Sequence, residues 1–357
     1  MGTNLPISVV IPSYNHASYV DSAIESVLNQ TLVPSEIIVV DDGSNDGSQN
    51  ILKKYGDRIS LTSFDKNRGA AVATNVGISL AKNSHVAILN SDDMWEPNKL
   101  ENQYEWMRAN NYDLCFTTAS IIDENSLIVS NPPSFFEVFS RTSPVNSSYL
   151  YHFFYFGNFL CHPSLLIKRE VYMNHGLYSN KYRQLPDLER WIHFSKFIKI
   201  GILNEKLVKF RWTDGLNTSN QSQITNYLRT QNEHLPLYLK FFENVPKDTI
   251  KISFEKEINA LDPKYQEIAA IDPGTALLLG HPEPSVKYQT TIAGYLRLLT
   301  LDTTPEVDKA IQNIAGSFQV ALNSDNLENH FMNQSFQRRV YEKLPVQIRK
   351  QIFRVLK

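Results

Sequence analysis

Across the first 110 residues, short apolar β-branched runs alternate with segments of helical periodicity, and few folds accommodate that alternation. Ile7-Ser8-Val9-Val10-Ile11 is one such run, stopped by Pro12. Glu36 to Asp41 and His85 to Leu89 are others, and Ser60 to Phe64 reads as a further strand. A continuous apolar run, without polar alternation, reads as a strand buried on both faces. Between the runs, Ala17, Val20, Ala23, Ile24, Val27 and Leu28 repeat at helical spacing over 17–30. Residues 45–55 and 69–81 read as further helices, and 97–107 as a helix with Pro97 in its first turn. Strand–helix–strand repetition of this kind predicts an α/β fold with a largely parallel sheet covered by helices.

In such a sheet ligands bind beyond the carboxyl ends of the strands. Polar clusters fall at those ends: Ser13-Tyr14-Asn15, Asp41-Asp42-Gly43-Ser44 and Asp92-Asp93. Further along, 114–118, 164–168 and 207–212 read as strands and 187–198 as a helix. Beyond about Asn226 the strand signal fades, and 227–242, 286–301 and 306–322 read as helices. At roughly 150 residues per domain, 357 residues make two domains or one large domain with an extension. The organisation expected is a sheet domain over 1–225, a helical region over 226–335 and a terminal helix over 336–357.

Composition removes several function classes. Lys and Arg total 35 against 37 Asp and Glu, a net charge of −2, so nucleic acid is not expected as a partner. Two cysteines exclude a disulfide scaffold and a four-cysteine zinc site. No Gly-x-Gly-x-x-Gly, Walker loop or His-Glu-x-x-His is present, leaving nicotinamide, P-loop and zinc-protease chemistry without a motif. The start of the chain has neither a basic segment nor an apolar signal core, and no apolar run reaches 18 residues. The expected location is cytoplasmic.

Asp92-Asp93 at a strand end suits a hard divalent cation held through oxygen, with remaining ligands from water or a diphosphate. The competing reading is a helix N-cap. Asp42, Ser44, Asp46 and Gly47 match four places of a calcium loop, but its anchoring twelfth place is Lys53. A turn followed by an N-cap fits that stretch equally.

Five blocks then carry a resemblance in order. They are Val9 to Asn15, Ser26 to Thr31, Ile38 to Ser48, Asn67 to Gly77 and Leu89 to Asp93. Together they resemble family 2 glycosyltransferases of the GT-A fold, over roughly residues 5–220. The fold implied is a GT-A type, Rossmann-like, mixed and mostly parallel sheet flanked by helices, with a C-terminal helical extension. The resemblance implies a nucleotide-sugar donor, a glycan or lipid-linked acceptor, and Mn2+ or Mg2+ as cofactor. It implies that Pro12, with Tyr14 and Asn15, borders the nucleotide, that Asp42 accepts from the base imide, and that Arg68 approaches the phosphates. Asp92 would meet the ribose or the metal shell, and Asp93 would ligate the metal. Asn90 stands where the family usually has Asp.

Asp187 falls on the catalytic-base position of the family, with Pro186 in place of the usual Glu and Glu189 where Asp is common. An N-cap role for Asp187 competes. Phe210-Arg211-Trp212-Thr213 resembles the family's Arg-x-His segment, with Thr213 in the His position. His162 reads either as an acceptor-side residue or as a core histidine. The aromatic stretch Tyr149 to Phe159 reads either as an acceptor wall or as core. The reaction implied is an inverting, metal-dependent transfer from a UDP-sugar. A nucleotidyltransferase and a non-catalytic nucleotide-sugar or glycan-binding module stay open beside it.

Residues 336–357 carry seven basic residues and one acid, with Leu344, Ile348, Ile352, Val355 and Leu356 near helical spacing. An amphipathic basic helix of this kind lies on an anionic membrane surface or packs on its own protein. The first alternative would place the protein peripherally at the inner face of the cell membrane.

Overall fold

The apolar runs form the centre of an eight-stranded sheet in the computed structural model, which describes residues 5–213, 224–302 and 304–323. The strands are β1 (Leu5–Ser13), β2 (Pro34–Asp41), β3 (Ser60–Ser63), β4 (His85–Ile88), β5 (Met94–Trp95), β6 (Leu114–Ile122), β7 (Leu166–Lys168) and β8 (Ile200–Arg211). Their spatial order is β3-β2-β1-β4-β7-β6-β8-β5. The β1/β2, β2/β3, β1/β4 and β6/β8 pairs are parallel; β4/β7, β6/β7 and β5/β8 are antiparallel. The sheet is therefore mixed, as expected of the GT-A type. The order reverses at β1, which has β2 on one side and β4 on the other, and ligand crevices open at such a switch.

Four helices connect the first six strands: α1 (Val20–Leu28), α2 (Ser48–Lys53), α3 (Ala70–Leu80) and α4 (Lys99–Ala109). The apolar stripe read from the sequence buries Val20, Ala23, Ile24 and Val27 of α1 completely. Helix α3 lies close over β1 because Gly77 has no side chain; a Cβ there would sit 2.3 Å from a Val10 methyl. Three more helices follow in the same unit: α5 (Tyr149–Phe156), α6 (Arg169–His175) and α7 (Pro186–Phe194). The aromatic stretch is thus largely a helix, and Leu150, Tyr151, Phe153, Phe154 and Phe159 are core. The sequence reading assigned no helix there, because an all-aromatic run shows no polar face.

Strand β8 is longer than the 207–212 expected. Its first half pairs with β6, Leu114 opposite Ile200, and register shifts around Thr118 let the two strands stay together to Ile122 and Arg211. Polar Asn204, Glu205 and Lys206 interrupt the apolar pattern at those shifts and hide the strand from a periodicity argument.

The remaining helices are α8 (Ile224–Leu239), α9 (Lys247–Ser253), α10 (Glu255–Asn259), α11 (Pro263–Ile271), α12 (Pro273–Leu279), α13 (Lys287–Leu298) and α14 (Pro305–Asn323). The chain divides into two compact units at Arg229/Thr230, inside α8. The second unit has its own core, with Ile268, Ala276, Leu279, Leu298 and Val307 buried together. Asp272 caps α12 through Thr275 N and Oγ1 and pairs with Arg297 Nε at 2.7 Å. The expected basic helix over 336–357 lies outside the described residues. Among those described, no helix is long and apolar enough to cross a membrane.

Candidate functional site

Ser13 and Asp41 end β1 and β2 in register, and Asp42 N–H donates to Ser13 O at 2.8 Å. The next step needs a glycine. Gly43 has φ +75°, and a Cβ there would lie 2.6 Å from the Lys66 carbonyl carbon. This close approach brings the turn before α3 onto Asp42. The buried Asp42 carboxylate accepts from Arg68 N–H at 2.6 Å and Gly69 N–H at 2.8 Å. A carboxylate offers about four lone-pair directions, so two protein bonds leave capacity for a ligand. The Arg68 side chain is exposed, its guanidinium over the Phe64 ring.

On the β1 side, Asn15 takes φ +52° and locks two loops together. Its N–H donates to Ser44 Oγ, and its Oδ1 accepts from Asn45 N–H, both at 2.9 Å. Tyr14 is 40% exposed and Pro12 half-buried beside it. The carboxylates of the would-be calcium loop diverge. Asp42 turns to Arg68 and Gly69, while Asp46 accepts from Ala17 N–H and from Ser48. The turn reading of that stretch is the one the structure adopts.

The Asp92-Asp93 pair follows β4. Helix α4 begins only at Lys99, after Asn98, so neither carboxylate caps it. Asp93 is 1% exposed and its two oxygens are held separately. Oδ1 accepts from Arg211 N–H at 2.7 Å, and Oδ2 accepts from Asn90 Nδ2 at 2.9 Å. Burial, and then the neighbouring Asp92 charge, push the Asp93 carboxyl well above the usual carboxylate range. Asp92 is less buried and faces His16, whose Nε2 is 3.9 Å from Asp92 Oδ2 and whose Nδ1 is 2.8 Å from Ser91 Oγ.

Arg211 is the hub behind the pair. Its guanidinium donates to Asp92 O at 2.7 Å, to Asp123 O and to Ser126 Oγ, and lies over the Tyr19 ring. The end of β8 is thereby tied to the loops after β4 and β6. The sequence reading singled out this arginine only through the Arg-x-His resemblance. Thr213, in the position of the family's His, is buried beyond it.

Asn90 joins the pair to a second chain of contacts. Its amide donates to Asp93, so Oδ1 is the atom facing His162 Nδ1, at 3.4 Å. His162 Nε2 is 3.1 Å from the Tyr178 hydroxyl, itself 3.2 Å from that of Tyr172. Burial pulls His162 down to about 4, so the ring is neutral near pH 7. Hydrogen on Nδ1 then satisfies Asn90 and leaves Nε2 to accept from Tyr178. Asn75 fixes Tyr178 by bonding both its N–H and its C=O. Asn75 lies in the Asn67 to Gly77 block, but Tyr178 carries no local motif, and only the fold brings the two together.

Asp187 is the second residue of α7, after Pro186; the N-cap position is Leu185. Its carboxylate accepts from Asn158 Nδ2 at 2.8 Å and from Leu188 N–H at 2.8 Å. The Asp187 charge also acts on the buried Tyr178 hydroxyl, which shares the His162 chain. Trp191, one turn along α7, is fully buried and lies against His162 and Tyr178.

Among the described residues no three His, Cys, Asp or Glu side chains converge as a complete metal cage. The acidic pair offers two carboxylates, one of them desolvated. That suits a hard cation whose remaining ligands come from water and a diphosphate.

Comparison with known proteins gives the family. A model of glycosyl transferase family 2 matches residues 8–175. The uncharacterized glycosyltransferase RP339 of Rickettsia prowazekii is 30% identical over 247 residues, 68% of this chain and 73% of that one. The UDP-Glc:alpha-D-GlcNAc-diphosphoundecaprenol beta-1,3-glucosyltransferase WfgD of Escherichia coli is 37% identical over 123 residues, 34% of this chain. The chain spans about half of WfgD's length, 49%. Among solved structures, S. aureus TarS 1-349 in complex with UDP-GlcNAc is similar in fold, with a TM-score of 0.52 at 16% identity. That likeness covers 84% of this chain and 93% of the other. With the ordered sequence blocks, the mixed sheet and the acidic pair at its switch point, these matches establish that the chain belongs to glycosyltransferase family 2.

Proposed function

We propose that this glycosyltransferase is inverting and metal-dependent, and moves a sugar from a UDP-sugar to a hydroxyl of a glycan or lipid-linked acceptor. The observation that carries the proposal is the Asp93 carboxylate, buried beside Asp92 and fixed through both oxygens. A buried carboxylate beside a second one is costly to ionise, and a divalent cation relieves that cost. Asp93 would hold Mn2+ or Mg2+ directly, with Asp92 in its shell. When bound, the cation would neutralise the charge that grows on the departing diphosphate.

The chain's own groups do the rest. Pro12, Tyr14 and Asn15 border the base, and Asp42 uses its remaining lone pairs to accept from the imide of uracil. Arg68 swings from Phe64 to the phosphates. Arg211 and Asn90 keep the Asp93 carboxylate in one orientation, so binding requires no reorganisation. Asp187 takes the proton from the acceptor hydroxyl as the bond to the anomeric carbon forms on the face opposite the diphosphate. One displacement then inverts the configuration. General-base help of this kind contributes about 10² to 10⁴ in rate. The lipid-diphosphate acceptor in WfgD's name supports a lipid-linked acceptor here.

The test is a panel of UDP-, dTDP- and GDP-sugars followed by thermal shift with and without Mn2+. A ligand of the folded state raises the melting temperature with its affinity. UDP-sugars should do so only with the metal. Equal shifts without Mn2+ would overturn the metal-dependent reading, and binding without turnover of any donor would favour a non-catalytic module.

A further inference from the structure

We infer that Asn158 is a positioning residue for Asp187, holding its carboxylate in the orientation and the ionised state from which it accepts the acceptor's proton. The inference rests on the proposal that Asp187 is the base and adds a residue to which that proposal gives no part.

Three features of the chain place Asn158. Helix α5 stops at Phe156, and Gly157 takes φ +72°, a turn open to glycine, so the next residue leaves the helix axis. The Asn158 amide is then fixed by its own backbone, because Leu160 N–H donates to Oδ1 at 3.0 Å. That bond settles which end of the amide is which and leaves the NH2 pointing outward. Nδ2 donates to Asp187 Oδ2 at 2.8 Å, across 29 residues of sequence. Leu188 N–H occupies the other carboxylate oxygen, at 2.8 Å. Asp187 is only half-buried, so it stays within reach of a ligand.

A general base must present a lone pair along one direction and must remain ionised at working pH. A carboxylate free to rotate meets the first condition only part of the time. A hydrogen bond to its charged form supports the second. The Tyr178 hydroxyl is neutral, and the Arg190 guanidinium is committed to the His175 and Gly176 carbonyls and to Glu189. Glu189, two residues along α7, carries a like charge. The neutral Asn158 amide steers the carboxylate without adding a cation that would hold back its proton-accepting power.

The experiment compares Asn158→Ala, Asp187→Asn and the double variant in the full-length protein. UDP release from UDP-glucose and UDP-GlcNAc with Mn2+ gives turnover, calorimetry with UDP and Mn2+ gives donor-site affinity, and 13C NMR follows the Asp187 carboxyl through its titration. Asn158→Ala should lower turnover about tenfold, leave UDP affinity within about twofold and move the Asp187 midpoint upward. In the Asp187→Asn background it should have almost no further effect on turnover, since the group it positions is gone. Asn158→Asp keeps the acceptor for Leu160 N–H while removing the donor; UDP affinity within about twofold of wild type in both variants guards against a misfolded loop. An unchanged midpoint in Asn158→Ala would overturn the inference, as would a tenfold loss that persists in the Asp187→Asn background. Wild-type turnover in Asp187→Asn would instead overturn the base assignment itself.

Discussion

Two aspartates, one in each unit, are buried to the same degree and have opposite electrostatics. Asp93 and Asp272 are each 1% exposed. Asp272 sits among Arg297, Thr275 Oγ1 and Thr275 N–H, and these partners hold its carboxyl below the usual range despite burial. Asp93 receives one backbone N–H and one amide, lies beside another carboxylate, and is pushed well above that range. The helical unit closes its buried charge with its own atoms, and the sheet unit leaves its charge incomplete. The difference teaches that burial does not by itself mark a residue as structural. The Asp272 carboxylate is satisfied from within, whereas the Asp93 carboxylate is left short of positive charge, as the cation site proposed above requires.

If that division is sound, removing an open carboxylate costs turnover and spares stability, and breaking a closed one does the reverse. Asp187→Asn should lower transfer by about 10² to 10⁴ while UDP binding and melting temperature hold, measured by UDP release and calorimetry. Asp93→Asn should abolish Mn2+-dependent UDP binding yet raise the melting temperature of the metal-free protein. The sign follows from linkage. A carboxyl whose folded pKa is raised contributes stability below its unfolded pKa, near 3.8, and loses it as pH climbs through the folded value. Metal-free wild type should therefore become less stable with rising pH in that window, and Asp93→Asn should flatten the slope. A metal-free protein indifferent to Asp93→Asn would break the comparison at its centre.

The closed pair gives the opposite pattern. Arg297→Ala strands a buried Asp272, and should cost about 2–3 kcal/mol by denaturant titration, below the full penalty of a buried pair because Arg297 is partly exposed. Lys99 sharpens the division from another side. It is wholly buried, its ammonium lies 3.8 Å over the Trp95 ring, and burial draws its pKa down to about 7. The unfolded chain binds that proton up to about pH 10.5, so stability should rise between pH 7 and 10.5, and Lys99→Met should raise the melting temperature and remove that rise. Unchanged turnover in Lys99→Met would mark it as a burden on the fold, and lost turnover would place it among the groups kept for function.

The smallest effect concerns His162. Its stability contribution is complete above about pH 6.5 and is lost as pH falls toward 4, so His162→Gln should soften acid unfolding over that window.

Much of the sheet was legible because buried parallel strands must be continuous apolar runs, and β1, β2 and β4 are. Asp42, Asp92 and Asp93 stood out in the sequence as polar residues just beyond such strands, and that position is where the structure places them; N-cap and turn roles competed until the helix starts were known. Strand β8 was half hidden by the polar residues at its register shifts, and α5 by lacking a polar face. Arg211 was visible only through resemblance, since nothing in Phe-Arg-Trp says that the guanidinium will reach Asp92, Asp123 and Ser126. The N-cap alternatives for Asp93 and Asp187 failed for a local reason: α4 starts after Asn98 and α7 after Leu185.

By itself, the order of residues determined the alternation of strands and helices, and with it the edge on which the acidic side chains gather. Both are short-range consequences of periodicity and turn chemistry, which act over a few neighbouring residues. Only the tertiary structure decided that Asn90 hands Asp93 on to His162 and Tyr178, that Arg211 backs both aspartates, and that Asn158 meets Asp187 across a glycine turn. Apart from the short Asn90–Asp93 step, those contacts join residues 16 to 118 positions apart. Their partners are chosen by where the strands end in space, a property that no local pattern carries.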